Sequence, residues 1–213
     1  MRSSIIVLAG ISPFLVACGA SNSGTATNFG IISGFDQNVV LTSTVDGEIE
    51  NLNIGRVTFE AGFDETNNRY VGTVSLAQGT DVGNPGSGSA TYSGNYSFVY
   101  IDQVNSGQPL PNRENGSIDL AVNFNNSTIT GSSADTIILT NLTVVPELSI
   151  SGTISGTVVG GTGVAGFSDA LTNGTQGVLL QGEVGADGLI FGFYGNDDDT
   201  VVVGGAIGVA PPP

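Results

Sequence analysis

Tyr92-Ser93-Gly94-Asn95-Tyr96-Ser97-Phe98-Val99-Tyr100 carries Tyr92, Gly94, Tyr96, Phe98 and Tyr100 on one parity, with Ser93, Asn95 and Ser97 between them. Successive side chains of an extended chain point to opposite faces, so this stretch has an aromatic face and a polar one. That is the pattern of a half-buried antiparallel strand. The same period recurs downstream in Ile118, Leu120, Val122 and Phe124 against Ser117, Asp119 and Asn123. It recurs again in Leu148, Ile150, Gly152, Ile154, Gly156 and Val158 against a Ser/Thr ladder. Weaker candidates at Ser127 to Gly131, Thr136 to Val145, Val178 to Val184, Leu189 to Tyr194 and Val201 to Val209 bring the total from Tyr92 onward to about eight strands. Asn125-Asn126, Ala186-Asp187-Gly188 and Gly195 to Asp199 read as turns between neighbours, and Pro146-Glu147 as a break. Short connections favour an up-and-down meander, and about eight strands close a small barrel with no free edge.

Upstream, Val57, Phe59, Ala61 and Phe63 alternate with polar residues, as do Tyr70, Gly72, Val74 and Leu76, which makes Asp64 to Arg69 a hairpin loop. With Val39 to Val45 and a weaker piece near Ile49 to Ile54, these predict a small sheet of about four strands. The expected fold class is therefore all-β: an eight-stranded antiparallel up-and-down barrel preceded by a small N-terminal β module. The expected boundaries are 29–78 for the module, 79–89 for a Gly/Ser linker and 90–210 for the barrel. No solenoid repeat and no sustained helical period occur, although Ser168 to Asn173 has room for one helical turn.

Composition removes several chemistries. The 213 residues include 33 Gly, one Cys, no His and no Trp, and 4 Lys+Arg against 19 Asp+Glu give a formal charge of −15. All four cations are arginines, so there is no lysine for a Walker loop or Schiff base, and no histidine for an activated nucleophile or a metal. So acidic a chain repels phosphate backbones, which excludes nucleic acid as a partner.

Residues 1–17 read as an export signal, with Arg2 followed by an apolar run from Ile5 to Val16 that is too short for a permanent membrane span. Leu15-Val16-Ala17-Cys18 resembles the lipobox of bacterial lipoproteins, which implies cleavage before Cys18, diacylglycerol on its thiol, a further acyl chain such as palmitate, and anchorage in the lipid bilayer. Residues 18–28 then comprise the lipidated Cys18 and a flexible Ser/Gly/Thr/Asn tether. Loss of Arg2 leaves 3 − 19 = −16 on the mature chain, which has no thiol left for a disulfide.

Ala90-Thr91-Tyr92-Ser93-Gly94-Asn95-Tyr96, Asp119-Leu120-Ala121-Val122-Asn123-Phe124 running into Thr128-Ile129-Thr130-Gly131, the tandem Ser151-Gly152-Thr153 and Ser155-Gly156-Thr157, and Gly192-Phe193-Tyr194-Gly195 followed by Gly204-Gly205 stand in an order that resembles the barrel domain of the transferrin-binding protein B class of surface lipoproteins. The resemblance implies an eight-stranded barrel, outer-membrane anchoring and binding of a solute or protein at the cell surface, with an iron or haem connection. The chain departs from that pattern in having one barrel, where the transferrin-binding members carry two lobes, and in its Asn196-Asp197-Asp198-Asp199 turn.

Other motifs read as structural. Gly161-Thr162-Gly163-Val164-Ala165-Gly166 matches a dinucleotide fingerprint, but no helix follows to hold a pyrophosphate, so it reads as an inter-strand loop. The Asp197-Asp198-Asp199 run lacks the spacing of known calcium loops and reads as a solvated turn. Among Glu60, Glu114, Glu147 and Glu183 nothing singles out a catalytic pair, and no Gly-x-Ser-x-Gly elbow occurs, so no enzyme and no cofactor are expected. The stripe Tyr92, Tyr96, Phe98 and Tyr100 suits stacking on a flat ligand such as haem, but reads first as barrel core.

With an interior expected to be filled by Tyr96, Phe98, Leu120, Val122, Ile150, Ile154 and Phe193, recognition falls to connections at one end. Two stretches read as long loops, Asp102 to Gly116 and Gly160 to Gly177, and they supply the candidate ligand-binding residues Arg113, Asp102 and Asp169. Two functions follow: a surface lipoprotein that binds a solute or protein partner, or a structural envelope lipoprotein with no small ligand.

Overall fold

The structure, a computed structural model, describes residues 40–78, 82–105, 109–139, 141–168, 173–197 and 199–211. Cys18, the signal segment and Asp169 lie outside them, as does the interior of the stretch expected to form a helical turn. Among the described residues there is no helix, only strands joined by turns, bends and irregular segments.

Three strands come first: β1 (Leu41–Asn51), β2 (Gly55–Asp64) and β3 (Arg69–Gln78), paired antiparallel in the order β1-β2-β3. The expected four strands become three because Leu41 to Asn51 runs as one strand, with a register shift between Thr42 and Val45. Asn51 then turns the chain, its Oδ1 accepting the backbone N–H groups of Asn53 and Ile54.

The barrel strands are β4 (Ser89–Asp102), β5 (Leu110–Asn123), β6 (Thr128–Ser133), β9 (Leu148–Ser155), β10 (Val158–Ser168), β11 (Asn173–Val184), β12 (Gly188–Asn196) and β13 (Val201–Val209). Each pairs with the next and β13 returns to β4, so eight strands close an antiparallel meander. Between β6 and β9 the chain inserts a hairpin, β7 (Thr136–Ile138) and β8 (Val144–Pro146), outside the barrel. The stretch Thr136 to Val145 is thus a hairpin rather than one strand. Asn141 lies at its turn and accepts the Thr143 N–H, while Leu142 takes a positive φ.

Two expected loops are largely strand. Asp102 to Gly116 reduces to a connection of 103–109, since β5 begins at Leu110. Pro111 is tolerated because β6 pairs only with Ile118 to Asn123, leaving the start of β5 an edge on that side. Gly160 to Gly177 reduces to 169–172. Two of its glycines are there for contact: a Cβ on Gly161 or Gly163 would collide with the carbonyl oxygens of Ser151 and Ser149 on β9. The dinucleotide-like motif therefore lies within a paired strand, β10.

Tyr92, Tyr96, Phe98, Tyr100, Leu120, Val122, Ile150, Ile154 and Phe193 share one buried cluster inside the barrel. Phe98 and Phe193 meet edge to face at 6.1 Å, and Tyr100 lies 4.9 Å from Phe167. The aromatic stripe is core.

A second cluster explains why Leu189 to Tyr194 and Val201 to Val209 show no clean alternation. Ile54, Val57, Phe59, Ala61 and Leu76 of the small sheet and its turn pack on Val99, Ile101, Ile190, Tyr194, Val201, Val203 and Ile207, the outward residues of β4, β12 and β13. Residues 188–195 and 201–208 are buried at every position, one parity facing the barrel core and the other the sheet. Strands covered on both faces read as continuous apolar runs.

Candidate functional site

The two barrel ends differ. At one end the chain between sheet and barrel lies against the turns: Ala186 N–H donates to Asn84 C=O at 2.8 Å, Asp187 N–H to Val82 C=O at 3.1 Å, and Phe124 N–H to Gly88 C=O at 2.9 Å. Val82 is buried, and Tyr92 Oη donates to Gly185 C=O at 2.7 Å. That end is closed by the protein itself.

At the opposite end the chain passes from β4 to β5, β6 to β9, β10 to β11 and β12 to β13, and the connecting residues described there are 103–105, 109, 134–139, 141–147, 197, 199 and 200. Asp197 Oδ1 accepts the N–H groups of Asp199 and Thr200 at 2.9 and 2.7 Å, so this acidic residue shapes a turn. Val104 N–H donates to Asp199 C=O, joining that turn to the neighbouring connection. Among the described residues, no group of three or more His, Cys, Asp and Glu is arranged to hold a metal ion.

Beneath these connections the barrel mouth gathers carboxylates. Tyr96 Oη donates to Glu147 Oε2 at 2.5 Å. Burial, that hydrogen bond and the charges of Glu147 and Asp135 push the phenol far above its ordinary range. Glu114 lies on the inward parity of β5 with Ile118, Leu120 and Val122. Burial, and then the charge of Glu147, raise its carboxyl above the usual range, while the Ser168 N–H bond works against them. A Cβ at Gly116 would run into both Asp135 Oδ2 and Tyr96 Oη, so these two groups share the space above Gly116.

The mouth is also the root of the β7–β8 hairpin. Glu147 N–H donates to Asp135 C=O at 3.0 Å and Gly166 N–H to Glu147 C=O at 2.7 Å. Ser133 Oγ donates to Asp135 C=O at 2.8 Å and accepts the Leu148 N–H at 3.0 Å. Ile137 is buried against the outward face of Gly166, where any side chain would displace it.

The sequence-derived candidates do not converge here. Asp102 is buried and accepts the Thr200 Oγ1 hydrogen bond at 2.8 Å, bracing the connection. Arg113 lies on β5, on the outward parity, and its Nη2 donates to the Asp46 C=O of β1. It closes an open groove of about 510 Å³ on the small sheet, lined by Asp46, Glu48, Thr58, Glu60, Thr73 and Ser75. Arg56 and Arg69 lie on that sheet too, each 3.9 Å from a carboxylate, Glu48 and Asp64. The expectation missed the mouth glutamates and the hairpin; Asn141 between two apolar runs was the available signal.

An eight-stranded closed antiparallel barrel, capped on one flank by a three-stranded sheet, defines the structural class. Its fold is that of transferrin-binding protein B: a variant of that protein from Actinobacillus pleuropneumoniae H49 superposes with a TM-score of 0.50 at 13% identity, over 84% of this chain and 83% of that one. Transferrin-binding protein B of Neisseria meningitidis gives 0.48 at 17% identity over 78% of this chain, and a variant from Haemophilus parasuis Hp5 gives 0.46 at 16% over 80%. The chain spans only 35% and 38% of the length of these last two. No protein-family model and no curated protein sequence matches the chain.

Proposed function

We propose that the protein is an outer-membrane surface lipoprotein that captures a protein or solute partner, with a link to iron, through the open end of its barrel. The observation that carries this reading is the shared fold with transferrin-binding protein B over most of both chains. The filled interior supports recognition outside the barrel, because an eight-stranded barrel packed with its own side chains has no space for haem. In this reading residues 1–17 are removed, Cys18 is acylated and 18–28 tether the folded part to the bilayer. Asp169, which lies outside the described residues, remains a candidate contact in this reading.

The test has two arms. Whole-cell protease treatment followed by mass spectrometry should release peptides from residues 103–109 and 134–147 while periplasmic controls stay intact. Immobilised transferrin, haem and ferric chelates should then be offered to the full chain carrying Cys18→Ser. Protection from protease on intact cells would contradict surface display. Exposure without binding to any of the three would remove the iron link and leave an envelope role ahead.

A further inference from the structure

We propose that the β7–β8 hairpin and the carboxylates at its root form a docking surface for a basic protein, one whose own surface offers an apolar stripe edged by lysine or arginine. The inference deepens the function proposed above and rests on it only for the capture of a partner.

The apolar half comes from the hairpin. Ile138, Leu142 and Val144 are 55%, 81% and 60% exposed, clustered on one short projection. Thr136 to Pro146 contains no ionisable side chain, within a chain of formal charge −15. The projection is held in place: Ile137 is buried on Gly166, and backbone bonds tie Glu147 to both Asp135 and β10. Side chains presented on a fixed support lose little freedom on binding, which is what an anchor requires.

The electrostatic half comes from the root. Asp135 and Glu147 flank the hairpin in the chain, Tyr96 Oη joins Glu147 to the mouth, and Glu114 lies on the inward parity of β5 two residues from Gly116, over which Asp135 Oδ2 sits. The three arginines of the described residues are engaged on or by the small sheet. An uncharged apolar projection in an acidic collar has the layout of an interface core and its charged rim. The overall negative field would speed encounter with a cationic surface. A second copy would bring the same carboxylates to the contact and be repelled, and an anionic lipid surface would be repelled likewise.

The probe is a fluorescent amphipathic helical peptide of Leu and Lys, about five turns long, compared with a peptide of the same composition in scrambled order. With the full chain carrying Cys18→Ser, the amphipathic peptide is expected to bind at least about tenfold tighter than the scrambled one. The triple substitution Ile138→Ser, Leu142→Ser, Val144→Ser should abolish that preference at unchanged melting temperature. Leu142→Ser alone, at the most exposed of the three, is the fallback if the triple variant melts early, and should reduce the preference. Glu114→Gln with Asp135→Asn should weaken binding by about threefold or more and flatten its salt dependence. Three results would each overturn the proposal: no preference between peptides, a preference that survives removal of the three apolar side chains, or retention by phosphatidylcholine vesicles through those side chains without peptide binding. The measurement is made in solution, so a failure of surface display in cells leaves its outcome unaffected.

Discussion

Phe59→Ala tests whether the small sheet and the barrel form one cooperative unit. Phe59 is 3% exposed on the barrel-facing parity of β2, in the cluster that joins Val57 and Ala61 to Val99, Val203 and Ile207. Truncating a buried phenylalanine costs about 3–5 kcal/mol, transfer and cavity together. A domain of this size loses roughly 2–4 °C of melting temperature per kcal/mol, so a shared transition should fall by about 6–20 °C. The assay is calorimetry alongside near-ultraviolet circular dichroism, which reports chiefly the barrel because three of the five tyrosines, Tyr92, Tyr96 and Tyr100, lie inside it and there is no tryptophan. Both signals should move together in one transition. Two transitions, with the tyrosine signal at its wild-type temperature, would refute the reasoning. The same logic predicts that residues 90–210 alone do not fold stably. Without the sheet, Val99, Ile101, Ile190, Tyr194, Val201, Val203 and Ile207 would face water, at roughly 1.5–3 kcal/mol each as an upper bound, which is comparable with an entire domain's stability of about 5–15 kcal/mol.

Gly163→Val should prevent β9 and β10 from pairing, since its first side-chain atom would meet the Ser149 carbonyl; loss of soluble folded protein checks it, and wild-type melting would count against the close approach. Glu114 has a raised folded pKa, so its contribution to stability is present below the unfolded value near 4.5 and is lost as pH rises through the folded value. Glu114→Gln should therefore flatten the pH profile of denaturant midpoints on the acid side of neutrality and stabilise the protein at pH 7. The phenols of Tyr92, Tyr96 and Tyr194 are all shifted upward, first by burial, so alkaline spectrophotometric titration should show them ionising only as the protein unfolds above about pH 10. Cys18→Ser should abolish acylation, read by loss of detergent-phase partitioning, because no other thiol exists in the chain.

The barrel was legible wherever one face of a strand meets the core and the other meets water. Tyr92 to Tyr100 and Ile118 to Val122 show the period because core and solvent are the only environments they meet on most of their length. Val201 to Val209 hid its role because a sheet covers its second face, and only the tertiary structure shows that cover. Glycine was ambiguous for a physical reason: at Gly161 and Gly163 the absent side chain admits a neighbouring backbone, while the same residue in isolation reads as loop. The surroundings of the candidate residues were not legible in the same way. Chemistry and position near a turn single out Arg113 and Asp102, but a side chain's partner is decided by strand parity and by non-local packing. Outward parity on β5 sends Arg113 to the small sheet, and Asp102 finds Thr200 across 98 residues of chain. The inward parity that brings Glu114 to Glu147 was visible once β5 was known to start at Leu110, but not while that stretch read as loop.

The proposed location of recognition follows from what the fold has already occupied. The interior is filled by aromatic and aliphatic side chains, and the flank formed by β4, β12 and β13 is covered by the small sheet. One end is closed by residues 82–88 and their bonds to the turns. On the remaining flank the outward parity of β6 and β9 offers the hydroxyls of Thr128, Thr130, Ser132, Ser149, Ser151, Thr153 and Ser155, and β10 and β11 add Val164 and Leu179, 39% and 45% exposed and so less open than Ile138, Leu142 and Val144. Binding free energy comes chiefly from large desolvated anchors, with polar groups adding orientation. Ile138, Leu142 and Val144 supply such anchors beside a mouth whose carboxylates already repel one another. A partner bringing positive charge would relieve that repulsion as it buries the hairpin, so the two contributions favour the same complex rather than competing for different ones.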